Sequence, residues 1–203
     1  MERTPTTTSH ALLGLLRLRP WTTYELAKQV QKGLGWFWPR AERKLYDEPK
    51  HLVAAGLATA TQERTGRRPR TVYAITPAGR RALKAWLAEP SAPPVLELEA
   101  MVRVFFADGG TTDSLLATLD AMAAQSDEMI ERLLEQVDAS RRDDYEFAGR
   151  RHINAVAIRF ELDHAAHLGR WARWARAQVE QWPSTTDPGD WDWETAVVPP
   201  RRR

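Results

Sequence analysis

Two sets of side chains in this 203-residue sequence have types and spacing that could do chemistry. The first is cationic: Arg40, Arg43, Lys44, Tyr46, Lys50 and His51 in one stretch, and Arg64, Arg67, Arg68 and Arg70 in another. An arginine fork fits the O6 and N7 edge of guanine, and a lysine ammonium or tyrosine hydroxyl holds a phosphate oxygen, so both stretches point to duplex DNA. The second set is Glu161, Asp163, His164 and His167, which contains a Glu-x-x-His-x-x-His run of the kind that can hold a metal on a helix. At about 100° per residue, however, Glu161 stands off the line through His164 and His167, so its carboxylate leaves their shared sphere unless another helix helps. No metal is therefore expected, and Asp163 and His167, four residues apart, can simply pair. With no cysteine there is no thiolate site or cysteine nucleophile. No Gly-x-Ser-x-Gly, Walker A or Gly-x-Gly-x-x-Gly motif lies between a strand and a helix, so neither an enzyme nor a cofactor is expected. A metal-dependent helical enzyme using Glu161, His164 and His167 stands as an alternative.

The elements that must position the cationic set read clearly. Ala11, Leu12, Leu15 and Leu16 recur at helical spacing and predict a helix over Thr7 to Leu18, stopped at Pro20. Thr22 and Glu25 form a capping-box pattern for a second helix that runs to about Lys32, before Gly33 and Gly35. After Trp36-Phe37-Trp38, Pro39 suits the first turn of a third helix carrying Leu45, Leu52 and Val53, with Gly56 at its C′ position and Pro49 expected to kink it. Residues 57–64 and 70–75 read as a β-hairpin with a cationic tip, and Thr76-Pro77 opens a fourth helix whose apolar face is Leu83, Trp86 and Leu87. Helix, helix, helix, hairpin, helix is the winged helix-turn-helix order. It places Arg40, Arg43, Lys44, Tyr46 and Lys50 on the reading helix, with Arg64, Arg67, Arg68 and Arg70 on the wing.

The formal charge is only +2, yet residues up to Pro90 carry 16 basic and 7 acidic side chains and those after it 13 and 20. A basic module that meets a polyanion is thus joined to an acidic one, through the proline-rich stretch 89–94. We read 1–90 as a winged helix-turn-helix DNA-binding domain, 95–182 as a helical dimerisation and effector domain, and 183–203 as a flexible tail. The class is mainly α with a small β-hairpin. The opening MERTPTTTSH lacks a signal-peptide core and no run of about 18 apolar residues occurs, so a cytoplasmic chain without a membrane span is expected.

Beyond the linker only helix signals appear. Leu98, Met101, Val102 and Phe105 mark a short helix ending near Gly109-Gly110. Thr112 can cap the next, where Leu115, Leu119, Met122, Ser126, Met129 and Leu133 keep coiled-coil spacing and require a partner helix. A last helix, about Asp143 to Trp182, is apolar on two faces. One holds Ile153, Val156, Ala157, Phe160, His164, His167, Trp171 and Trp174, and the other holds Ile158, Leu162, Ala165, Gly169 and Ala172. Such a helix is expected to pack both on its own domain and on a second subunit. We assign dimerisation to Leu115, Leu119, Met122, Met129, Leu133, Ala165 and Gly169. Phe160, His164, His167, Trp171 and Trp174 are either ordinary packing or the walls of a pocket for a planar aromatic effector.

Leu12-Leu13-Gly14-Leu15-Leu16 with Pro20, Tyr24-Glu25-Leu26, Trp36-Phe37-Trp38, Leu45-Tyr46 with Leu52, Gly56-Leu57, Arg68-Pro69-Arg70, Tyr73, Ile75-Thr76 and Gly79 together resemble the PadR family of bacterial transcriptional regulators. The likeness spans about Ser9 to Leu83. It implies a homodimeric winged-helix repressor on a palindromic operator, released by a small, frequently aromatic effector, and Tyr24 joins the DNA-binding set. The sequence departs from the family in having Thr23 where a glycine is common and Pro49 inside the third helix. A winged-helix module for protein association alone is the other alternative, against which the basic wing argues.

Overall fold

The computed structural model describes residues 4–35, 38, 42–65 and 68–198. It divides into two compact units, Met1–Pro94 and Val95–Arg203.

In the first unit α1 (Thr7–Leu16) starts at a capping box between Thr6 and Ser9, which satisfies amide groups that a helix end leaves unpaired. A two-residue strand β1 (Trp21–Thr22) precedes α2 (Thr23–Gly33), and the box foreseen from Thr22 and Glu25 is present. The Glu25 carboxylate accepts from the Thr22 amide at 2.8 Å, and this bond holds the carboxyl below its ordinary value. Helix α3 (Glu42–Ala54) continues through Pro49, and the expected first turn at Pro39 lies outside the described residues. It ends in a Schellman motif: the Leu57 amide donates to the Leu52 carbonyl and the Gly56 amide to Val53, with Gly56 at φ 69°. An L side chain resists that conformation, which explains the glycine.

Strands β2 (Ala58–Thr65) and β3 (Arg68–Ile75) pair antiparallel from Ala58↔Ile75 to Thr65↔Arg68. The pairing reaches closer to the tip than the sequence indicated, so Arg68 and Pro69 belong to β3 rather than to the turn. Strand β1, which no pattern announced, adds to the free edge of β3 through Trp21↔Tyr73 and gives the order β1-β3-β2. Helix α4 (Pro77–Leu87) starts from the Thr76 cap with Pro77 in its first turn. Leu83 is buried and Trp86 stacks on His10 at 4.8 Å, but Leu87 is exposed. The core of the unit is the aliphatic set Leu12, Leu13, Leu16, Leu26, Val30, Leu45 and Leu52.

The second unit is built on two long helices. After α5 (Glu99–Phe105), α6 (Thr112–Arg141) is capped by Thr111, one residue before the expected Thr112. Helix α7 (Arg151–Val179) starts later than Asp143, following a loop in which Arg151 donates to the Ser140 and Arg142 carbonyls. Asp120 pairs with Arg176 at 2.5 Å and Asp127 with Arg173 at 3.1 Å, so α6 and α7 run antiparallel. Leu115, Leu119 and Met122 of α6 and Ala172, Ala175 and Val179 of α7 form the core, on which Met101 and Val104 of α5 pack.

This pairing takes up, within one chain, the side chains assigned to dimerisation. Leu115, Leu119, Met122, Leu133, Ala165 and Gly169 are buried, and Met129 half-buried, between helices of one chain. A Cβ on Gly169 would lie 3.1 Å from the Ser126 Cβ, so the helices touch where α7 is smallest. The coiled-coil seam found its partner within the same polypeptide.

The expected flexible tail is corrected too, as far as Val198. Ser184 and Asp187 close a turn, and the Thr185 hydroxyl donates to the Gly110 carbonyl. Trp191 meets Trp182 edge-on at 5.2 Å and donates to Gln178, and α8 (Trp193–Ala196) follows. Two tryptophans supply apolar area that a residue-period search does not register.

Candidate nucleic-acid interface

Helix α2, α3 and the β2-β3 wing present the first set. Tyr24 stands on the first turn of α2, 64% exposed. Lys28, one turn further on, is also exposed and was not singled out from the sequence, although its i, i+4 spacing from Tyr24 is the signal that finds it. On α3, Tyr46 is half-buried, and Lys50 is exposed with its ammonium 3.6 Å from Asp47. On β3, the Arg70 guanidinium donates to Glu63 across the strand pair at 2.9 Å, so this arginine is partly neutralised near the tip of the wing. Arg40 and Arg67 lie outside the described residues. So do the side chains of Arg43, Lys44, Arg64 and Arg68, whose backbones belong to α3, β2 and β3. Near the head of α2, Arg19 lies 3.4 Å over the Trp21 ring and 3.7 Å from Glu25.

The inner face of α3 explains how these outward positions are presented. Leu45, Pro49 and Leu52 are buried at helical spacing, and positions 43 and 50 fall on the opposite side of the helix. Glu48 shares the inner stripe and accepts from the Ser9 hydroxyl of α1.

The second set is not brought together. Glu161 is buried against α6, and burial pushes its carboxyl up. His164 is half-buried and stacks on Phe160 at 6.1 Å, and His167 is exposed. Asp163 pairs with Arg159 at 2.8 Å, not with His167 as expected, and this bond holds its carboxyl low. Among the described residues no three acidic or histidine side chains gather around one point.

The aromatic stripe does not close a pocket within one chain. Phe160 is 59% and Trp174 45% exposed, while Trp171 turns onto the core beside Leu115 and Ala172. In one chain, Phe160, His164, His167, Trp171 and Trp174 thus lie partly on an open face and partly in the packing, not around a shared cavity. A cleft of about 260 Å³ opens instead where α5 meets α6, lined by Arg103, Phe106, Ala107, Gly110, Ser114 and Leu115. It is smaller than the roughly 300–1,000 Å³ usual for sites of drug-sized ligands.

A basic unit of four helices and a three-stranded antiparallel sheet, followed by an acidic helical hairpin, has the winged-helix fold. Residues 12–85 match the profile of the "Transcriptional regulator PadR-like family". A similar protein is the "Probable transcriptional regulator Rv1176c" of Mycobacterium tuberculosis, 33% identical over 85 residues, which are 41% of this chain and 45% of that protein. The "Negative transcriptional regulator PadR" of Bacillus subtilis is 28% identical over 99 residues, 48% of this chain and 54% of it. The chain therefore spans about half the length of the curated relatives it matches. In structure, Bacillus subtilis PadR in complex with operator DNA superposes with a TM-score of 0.72, at 19% identity, covering 86% of this chain and 99% of that one. The same regulator in complex with p-coumaric acid gives a TM-score of 0.65, at 17% identity, covering 89% and 99%. At such identities these likenesses establish the fold. No helix among the described residues is long and apolar enough to cross a membrane.

Proposed function

We propose that this chain is a cytoplasmic, sequence-specific DNA-binding repressor that works as a homodimer on a palindromic operator in double-stranded DNA. The observation that carries the reading is the PadR-like winged helix in a segment whose formal charge is 16 minus 7 up to Pro90. Lys50 and Tyr24 stand outward on it. Non-specific phosphate attraction supplies most of the affinity, and side chains at the head of α3 supply the base preference. Repression, rather than activation, follows the Bacillus subtilis relative, a negative regulator by name.

Dimerisation belongs on the outward face of α7. Ile153, Val156, Phe160 and Trp174 are all exposed in one chain although their spacing makes one stripe. A second copy would cover it and would join two winged helices into one twofold reader of two half-sites. The effector reading is retained in altered form: a planar aromatic acid, such as the p-coumaric acid held by the Bacillus subtilis relative, would bind where a second copy closes over Phe160, His164 and Trp174.

Selection of bound sites from random duplex DNA by the purified protein tests the whole reading. The expected product is an inverted repeat, with binding that weakens steeply as salt rises. Arg67→Ala with Arg68→Ala should flatten that salt slope by about one unit per lost phosphate contact. Recovery of no preferred sequence, or no salt dependence, would sink the proposal in favour of a protein-association module. Saturable quenching of tryptophan fluorescence by p-coumaric acid, reduced in Trp174→Phe, tests the effector.

A further inference from the structure

Among the described side chains of α3, Glu48 is the acidic one on the buried stripe, with 4% of its surface exposed, and Ser9 beside it has 2%. The two are hydrogen-bonded across 39 residues of sequence, the Ser9 hydroxyl donating to the Glu48 carboxylate. That hydroxyl also accepts from the Thr6 amide at 2.8 Å as part of the capping box of α1. The carboxylate therefore sits at the first turn of α1, where the helix dipole favours negative charge. Helix α1 offers a fixed post, because Leu12, Leu13 and Leu16 root it in the core.

The next residue makes the contact more than a satisfied buried group. Pro49 has no amide hydrogen, so the helix bond back to the Leu45 carbonyl is missing beside Glu48. The ladder is therefore weakest between the half of α3 that carries positions 43–46 and the half that carries Lys50. Leu45, Pro49 and Leu52, buried on the same face, are apolar, and hydrophobic burial is by itself non-directional. A hydrogen bond to a buried carboxylate is directional. We infer that Ser9 and Glu48 form a positioning pair that sets the rotation of α3, and with it which outward side chains face the base edges. The inference rests on the DNA-binding reading above.

The test separates aim from stability. Replacing a buried polar pair with apolar groups of similar volume is often neutral or stabilising, so Ser9→Ala combined with Glu48→Leu should fold and melt no lower than the parent. We expect its affinity for the selected site to fall about tenfold, the size of one lost base contact, with affinity and salt slope on random duplex unchanged. Glu48→Gln, which keeps an acceptor for Ser9, should restore most of the discrimination. An unchanged ratio of specific to random binding in the double variant overturns the inference. If that variant does not fold, Ser9→Ala alone is measured well below its melting midpoint, and an unchanged ratio there overturns it equally. Failure of the unmodified protein to select any site would instead remove the DNA-binding reading, and this inference with it.

Discussion

Helix α3 in the first unit and α7 in the second use their faces in opposite ways. Helix α3 buries Leu45, Pro49 and Leu52 and turns Lys50 to solvent. Helix α7 buries Ala165, Gly169, Ala172 and Ala175 and leaves Val156, Phe160 and Trp174 outside. The difference follows from what each helix packs against. Helix α3 meets α1, α2 and the sheet, where large side chains fill the space between elements. Helix α7 meets one long antiparallel neighbour at very short range around Gly169, where small side chains fit, as the Ser126–Gly169 approach shows. Val156, Phe160 and Trp174 of α7 are thus free to meet another molecule. Size alone does not identify a core.

The strongest way to break this comparison is Ala165→Asp. The site is fully buried between α6 and α7, and an unpaired carboxylate there should cost about 3–5 kcal/mol. Circular dichroism should show the cooperative helical melt of the second unit lost, and a parent-like melt would mean that the seam is not its core. Leu52→Ala tests the other side, with an expected loss of about 2–5 kcal/mol in urea unfolding followed in the first unit.

The exposed stripe sharpens the contrast through Val156→Asp with Phe160→Asp. At protein concentrations low enough to dissociate any dimer, these surface changes should move stability by no more than about 1 kcal/mol. In sedimentation at higher concentration the parent should run as a dimer and the variant as a monomer. A monomeric parent would remove the stripe from any role in association.

The smallest effect is expected at Glu161, whose carboxyl burial pushes up. As pH rises through the ordinary carboxylate range of about 4, the unfolded chain ionises before the folded one, so the residue withdraws stability until the folded carboxyl ionises as well. Glu161→Gln has no such loss. It should melt above the parent at pH 7, with the gap closing on acidification below about pH 4, and a gap that is independent of pH would show that burial of charge is not the cause.

Much of the first unit was legible because its signals are local. The Thr22–Glu25 box, the Thr76-Pro77 start and the Gly56 C′ position each depend on residues within a turn, and all three are present. Strand β1 was not legible, since two residues carry no period and Trp21 becomes a strand only by pairing with Tyr73. The tail was misread for a related reason: Trp191 and Thr185 are held by Trp182 and Gly110, and no local pattern announces either contact.

By itself, then, the sequence determined the starts of α2 and α4, the stop of α3, the division into a basic and an acidic part, and the presence of two apolar faces on α7. These are properties of residue type and short spacing. Which face of α7 would be buried was decided only by tertiary structure, because both satisfy the same helical period and the choice depends on how closely α6 approaches. The link from Ser9 to Glu48 was decided in the same way. A buried carboxylate is tolerated only where the fold delivers donors to it, and the Ser9 hydroxyl comes from a helix 39 residues away.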